Sequence, residues 1–328
     1  MPTRRLEILL ISFFLFSPAI ASDYSVNPWI GTGGPVTASG MTFPGATAPF
    51  GMVRLSPDTS GSLGLLNRPN IGTGGYYHSH DRVLGFSHTR LSGTGVSDGG
   101  LLRVTPVTNP RDFERRRPRL VLNHRNEWAD AGHYGIRFTR EAVEAELTTT
   151  VHCGAHRYQR LNPKKPLRLL INGTSGLFGN VADNKSTIAI NRNARTFEGA
   201  TRLFGQFSKR YGGLKAYYYG EYSSPAIPRL WQGKGWLSGN ETATQGDDIG
   251  LGLAFDKATE SVELKVCVSY VSSENARANF ESEVTGKTFA SIKKEASSNW
   301  RAAFSRLKIK TDDEDVRTIF WVFSNLSG

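Results

Sequence analysis

Between Gly72 and Gly100 the chain reads GTGGYYHSHDRVLGFSHTRLSGTGVSDGG, and this stretch concentrates side chains able to do chemistry. His78, His80, His88, Asp81, Arg90 and Asp98 surround one short apolar run. Glycine clusters bracket that run. Because glycine permits positive φ and close backbone approach, the pattern predicts two tight loops flanking one strand. Imidazole, guanidinium and carboxylate groups gathered on such loops are suited to holding a polar ligand, since loops on a rigid scaffold carry function. Alternatively, the glycines only turn the chain and the histidines are satisfied locally; the spacing leaves both readings open. Neither GTGGYY nor SGTGVSDGG ends in the Lys-Ser/Thr of a phosphate-binding loop, and no helical periodicity follows either one.

Acid–base hydrolysis needs carboxyl groups brought together, one to give a proton and one to take it. Asp81, Asp98, Glu127, Asp130, Asp247 and Asp248 are available, and nothing in the sequence pairs them. Asp247 and Asp248 follow a glycine and could offer oxygen ligands to a cation, although a solvated turn is the plainer reading. No catalytic residue is named on these grounds.

The elements that must position these groups are strands. Thirty-five glycines, fifteen prolines and 11% aromatic residues favour an all-β body over a helical bundle. β-type composition between turn residues recurs at 101–107, 134–139, 143–153, 167–172, 187–191, 196–203, 215–222, 230–237, 249–255 and 262–271. About ten strands with no long helix between them predict a large antiparallel sandwich. Tyr217, Tyr218 and Tyr219 put aromatic rings on both faces of one strand, mainly for packing.

Composition changes after Val271. Ser272 or Ser273 can cap a helix starting near Glu274. Phe289, Ile292, Ala296, Trp300, Ala303 or Phe304, and Leu307 then recur at helical spacing, which predicts an amphipathic helix lying against the sandwich on one side and a partner domain on the other. A last helix is capped by Thr311 or Asp312, with Asp313, Glu314 and Asp315 at its positive end. It runs into Ile319–Phe323, an apolar face expected to lack cover.

The formal charge of +11 invites a nucleic-acid reading. Yet only Arg115–Arg117 with Arg119, and Lys164–Lys165, form local clusters, so a solvated face is preferred and no nucleic-acid partner is expected. At the start, Arg4 and Arg5 precede the apolar core Ile8–Phe16 and the small-residue site Ala19-Ile20-Ala21. This reads as an export signal cleaved after Ala21, giving a secreted or periplasmic chain. Its core is far shorter than the ~20 apolar residues of a membrane span, and no other stretch qualifies. The two cysteines fall on opposite phases of their apolar alternations. Cys153 continues the apolar face of 143–151, whereas Cys267 sits with Glu263 and Lys265, so a disulfide is not expected.

Several long segments carry a family resemblance: NPWIGTGG (27–34), FPGATAPFGMVRLSPDT (43–59), GFSHTRLSGTG (85–95), VSYVSSENARANFESEV (268–284) and ASSNWRAAFSRLKI, ending at Ile309. In this order they resemble the N-terminal domain of glycoside hydrolase family 92, whose members are typically calcium-dependent, inverting exo-α-mannosidases. The resemblance implies a β-sandwich over 22–272, a helical linker over 273–309 and the truncated first helix of an (α/α) barrel over 310–328. It also implies that the acid, the base and the calcium ligands belong to the barrel. Calcium is thus expected of a full-length enzyme and not of this chain, and a frameshift, early stop or split gene would give such an ending. The sandwich of the family contributes to a pocket between the two domains. The residues implied for it are Trp29 as an aromatic face, His88, Arg90 and Asp98 as hydrogen-bonding groups, and the open backbone of Gly93–Gly95, with Gly95 at the close approach. Here HTR stands where many members have HTH, and Val96 where many have cysteine. The implied function is the substrate-pocket domain of an α-mannosidase acting on mannose-containing glycans, inactive as an isolated piece. A free-standing carbohydrate-binding module, or a module that docks a separately encoded barrel, is the alternative.

Overall fold

The computed structural model describes residues 26–34, 39–61 and 72–326, the last six as backbone; the expected export segment lies outside the described residues. In chain order the strands are β1 (Ala46–Thr47), β2 (Arg54–Ser60), β3 (Arg82–Ser87), β4 (Arg103–Val107), β5 (Leu120–Val121) and β6 (Glu127–Asp130). Next come β7 (His133–Phe138), β8 (Val143–Thr149), β9 (Cys153–Arg160), β10 (Arg168–Asn172), β11 (Val181–Ala182), β12 (Thr187–Asn191) and β13 (Thr196–Phe204). The series ends with β14 (Leu214–Tyr222), β15 (Ala226–Gln232), β16 (Gly235–Trp236), β17 (Ala243–Gln245), β18 (Ile249–Phe255) and β19 (Ser261–Ser269).

Among the described residues these form two antiparallel sheets. The first runs β1-β2-β3-β4-β10-β18-β15-β16, with β5 beside β3; the second runs β17-β12-β13-β14-β19-β9-β8-β7-β6, with β11 beside β13. Alternation along the strands explains the stacking. Val104, Leu169, Ile171, Leu251 and Leu253 of the first sheet share one core with Tyr134, Ile136, Leu147, Tyr158, Tyr218, Leu264 and Val266 of the second. Each such side chain contributes about 1.5–3 kcal/mol on full burial. The mainly β sandwich read from the sequence is therefore the fold. The apolar run inside 72–100 is β3, and it carries a register shift opposite Asp58 and Thr59. Gly85, with φ of 145°, sits at that irregularity because a Cβ there would meet the Thr105 hydroxyl at 2.3 Å.

Helices α1 (Pro110–Glu114), α2 (Ser273–Glu283), α3 (Phe289–Phe304) and α4 (Glu314–Leu326) complete the chain. The Ser272 hydroxyl accepts from Asn275 N–H, confirming the expected cap of α2, and Thr288 caps α3 in the same way. Asp313, rather than Thr311 or Asp312, caps α4, through bonds from the N–H groups of Asp315 and Val316. Trp300 anchors α3 to the sandwich by donating its indole N–H to the Thr47 carbonyl at 2.7 Å.

Two further expectations need correcting. Cys153 and Cys267 form a disulfide. They are direct partners across β9 and β19, so their side chains share one face. The polypeptide turns at 150–152, and Val143 pairs with Arg160, so odd inward positions on β8 face even inward positions on β9. Carrying the odd phase through that turn put Cys153 on the wrong face. The face it occupies is not solvated either: α2 and α3 cover it with Phe280, Val284, Phe289 and Ile292. The apolar run on α4 is also not wholly bare, because Phe320 packs against the Trp300–Phe304 cluster with Val26, Ala131 and Ile309. Val316 and Ile319 stay 47% exposed.

Candidate functional site

At one end of the sandwich the turn holding Trp29 meets the loop holding Tyr76 and His78. Asn27 ties the turn by accepting from the Trp29 N–H at 3.0 Å, and the His78 N–H donates to the Thr32 carbonyl at 2.9 Å. The Trp29 ring lies 6.1 Å from that of Tyr76 and 6.5 Å from those of His78 and Tyr134. Behind them sits Glu127, its side chain fully buried. The carboxylate accepts from the Tyr134 hydroxyl at 2.5 Å and the Tyr76 hydroxyl at 3.1 Å, and pairs with His124 Nδ1 at 2.7 Å. His124 in turn stacks on His78, with ring centroids 4.0 Å apart.

The electrostatics follow from that arrangement. The hydrogen bond to Glu127 raises the His124 pKa, while partial burial and then the neighbouring His124 lower that of His78. The stacked pair therefore favours one proton, held on His124, over two. Burial and the adjacent carboxylate push the Tyr76 and Tyr134 phenols far up, so both remain donors. The outcome is a platform of two exposed imidazoles beside a partly buried indole. Such a surface can stack on a sugar ring and bond its hydroxyls. It does not suit calcium, which takes six to eight oxygen ligands. Glu127 is already shared by three donors, and among the described residues no group of three or more His, Cys, Asp or Glu side chains is placed to hold a metal ion.

Of the residues implied by the sequence, Trp29 belongs to this platform. Gly95 lies on the partly exposed loop after β3, where a Cβ would touch Met41 at 3.4 Å. The other three are turned inward. His88 is fully buried, donating from Nδ1 to the Leu102 carbonyl at 2.9 Å and meeting His156 through Nε2 at 3.0 Å. The Arg90 side chain is buried too, and donates to the carbonyls of Arg54, Gly74, Ser56 and Ser87 and to Asp58 Oδ1. Asp98 accepts from the N–H groups of Phe207 and Ser208, both at 2.8 Å, and so staples the 205–211 turn to the glycine loop. The sequence reading missed His124 as a site residue and left Glu127 unpaired. The one local signal was His124 and Glu127 three residues apart after the cap Asn123; nothing local brings them to residues 76–78.

Comparison with known proteins agrees with this architecture. Residues 25–269 match the glycosyl hydrolase family 92 N-terminal domain, and residues 275–324 match a short stretch of the family 92 catalytic domain. A family 92 α-mannosidase of Bacteroides thetaiotaomicron superposes with a TM-score of 0.78 at 26% identity, over 91% of this chain and 40% of that one. A second enzyme of the same organism, a family 92 inverting mannosidase, shares the fold at a TM-score of 0.72 and 21% identity, over 90% of this chain and 38% of its own. An uncharacterized secreted glycosidase of Arthroderma benhamiae is 23% identical over an alignment 305 residues long that covers 83% of this chain and 37% of that protein. The chain thus spans about two fifths of the length of these relatives. With three quarters of its residues inside the N-terminal match, the chain belongs to glycosyl hydrolase family 92.

Proposed function

We propose that this chain supplies the sandwich wall of the substrate pocket of an exported family 92 α-mannosidase acting on mannose-containing glycans. The observation that carries this reading is the platform of Trp29, His78 and His124, exposed at its imidazoles and fixed from behind by buried Glu127. Gly95 would complete its rim, whereas His88, Arg90 and Asp98 act indirectly, by holding the loops in place. The acid, the base and any calcium ion are assigned to the part of the relatives that this chain does not span. The reading is tested by titrating the mature chain with α-mannobiose while following tryptophan fluorescence. Weak, saturable binding that Trp29→Ala abolishes without lowering Tm is expected; no perturbation by any α-mannoside would overturn it. Half-exposed Val316 and Ile319 on α4 favour a second reading, in which the helices dock a separately encoded (α/α) barrel. In that case binding appears only after the barrel is added.

A further inference from the structure

The arginine run singled out in the sequence does not end on open surface. Arg115, Arg116 and Arg117 line a cavity of about 630 Å³ on the outer face of the first sheet, well within the ~300–1,000 Å³ of small-molecule sites. Leu84, Arg103, Thr105, Leu170 and Asn172, on the outward phase of β3, β4 and β10, line its floor, and the β15–β16 hairpin brings Trp231 and Lys234. Glycines let the two tryptophans lie close on this face. A Cβ on Gly250 would meet the Trp231 ring at 2.2 Å, and one on Gly252 would meet the Trp236 ring at 2.6 Å.

Arg116 is held in this cavity rather than waving beside it. Its backbone adopts a left-handed φ of 52°, uncommon outside glycine and characteristic of positions fixed by their surroundings. The guanidinium lies over the Trp231 ring at 5.2 Å and donates to the Gly233 carbonyl at 2.7 Å. Five cationic side chains line the space, with Asp248 as the one carboxylate among the lining residues. Asp248 lies 3.9 Å from Arg116, and Arg103 lies 3.6 Å from Asp58. Across Pro118, which lines both, a second cavity carries Arg119, Arg140, Lys164 and Lys165 with Asp112 and Glu141.

We propose that the cavity between the Arg115–Arg117 run and the β15–β16 hairpin binds an acidic saccharide, a short glycan segment carrying a carboxylate or sulfate group. Guanidinium forks match both groups bidentately, and the Asn172 amide on the floor can bond ring hydroxyls. Size argues against duplex nucleic acid, whose specific sites bury ~1,000–2,500 Å² of protein surface rather than one walled cavity. None of the lining residues belongs to the Trp29 platform, so this site stands or falls independently of the mannoside reading.

Calorimetric titration of the full chain with three oligosaccharides of equal length tests the proposal: a polygalacturonate, a chondroitin sulfate and a neutral mannan. The acidic probes should bind and the neutral one should not; the tighter acidic arm identifies carboxylate or sulfate as the recognised group. Arg115→Gln/Arg117→Gln/Lys234→Gln, three exposed positions, should weaken binding at least tenfold. Lys294→Gln/Lys308→Gln/Lys310→Gln removes the same charge from exposed positions elsewhere and should leave it unchanged. Equal losses in both triple variants, equal binding of the neutral probe, or equal binding of a DNA duplex would overturn the proposal and leave only general attraction to polyanions.

Discussion

His88 shows how a residue at the centre of a conspicuous motif can serve the scaffold. With both rings neutral, His88 donates from Nδ1 to the Leu102 carbonyl and accepts at Nε2 from the His156 Nε2–H, while His156 Nδ1 accepts from the Tyr158 hydroxyl. Protonating both rings would set two N–H groups against each other across the Nε2–Nε2 contact. Burial accordingly holds the His88 pKa down at about 4, and burial and then His88 hold that of His156 well below its ordinary range. Below pH ~6.5 the unfolded chain takes up protons that the folded one refuses. The associated stability is complete above that pH and is lost as pH falls toward 4, by up to ~1.4 kcal/mol per pH unit for each histidine. His124, whose pKa is raised, works in the opposite sense, but it is partly exposed and its share is screened. Urea midpoints measured from pH 7.5 down to 4.5 should therefore decline. His88→Leu should lower stability at pH 7.5, with ~1–3 kcal/mol for each partner left unsatisfied, and should flatten the decline. A wild-type midpoint that stays constant over this range would show that the histidines are not held neutral.

Among the elements, the β8–β9 hairpin decides most. Its turn shifts the alternation, brings Cys153 opposite Cys267 and turns both toward the helices that cover the second sheet. The crosslink spans 114 residues of sequence, and the usual contribution of a disulfide is ~2–4 kcal/mol, mainly through the unfolded state. Cys267→Ser should lose that amount in equilibrium denaturation, whereas a loss below ~0.5 kcal/mol would mean that the helices alone hold this face, as for an ordinary surface change. The cap of α2 was legible because Ser272 acts within three residues of its partner, whereas the Thr288 cap of α3 was not read from the sequence. β2 was not legible, since RLSPDTS has neither alternation nor β-type composition. It is a strand because its neighbours supply the ladder, and because Asp58 and the Ser56 carbonyl receive the buried Arg90 guanidinium. The 230–237 segment, read as one strand, folds at Gly233 into the β15–β16 hairpin, and that fold gives the outer cavity its tryptophan wall.

At the scale of the molecule, the sandwich presents two separate polar surfaces: the platform at Trp29 and the basic cavity beside α1. Among the described residues neither brings together two carboxylates with room for a water, as an inverting mechanism requires. Glu127, the carboxylate at the platform, is held by two tyrosines and a histidine. The purified chain should consequently release no mannose from α-mannobiose, with or without calcium. Calcium-dependent release from material free of contaminating enzyme would place the acid and base within this chain.

Local chemistry was enough for the sequence to determine the β class, the strand inside 72–100, the cap of α2 and, through motifs of eight or more residues, the family. These depend on alternation, on turn residues and on side chains bonding backbone a few positions away. Contacts between residues far apart in sequence were decided only by the tertiary structure. The crosslink of Cys153 to Cys267, the inward turn of His88, Arg90 and Asp98, and the meeting of Trp29 and His78 with His124 and Glu127 are all of this kind. The physical reason is that register across a sheet, and the face a strand turns toward the core, are fixed by neighbouring strands and covering helices rather than by the strand's own residues.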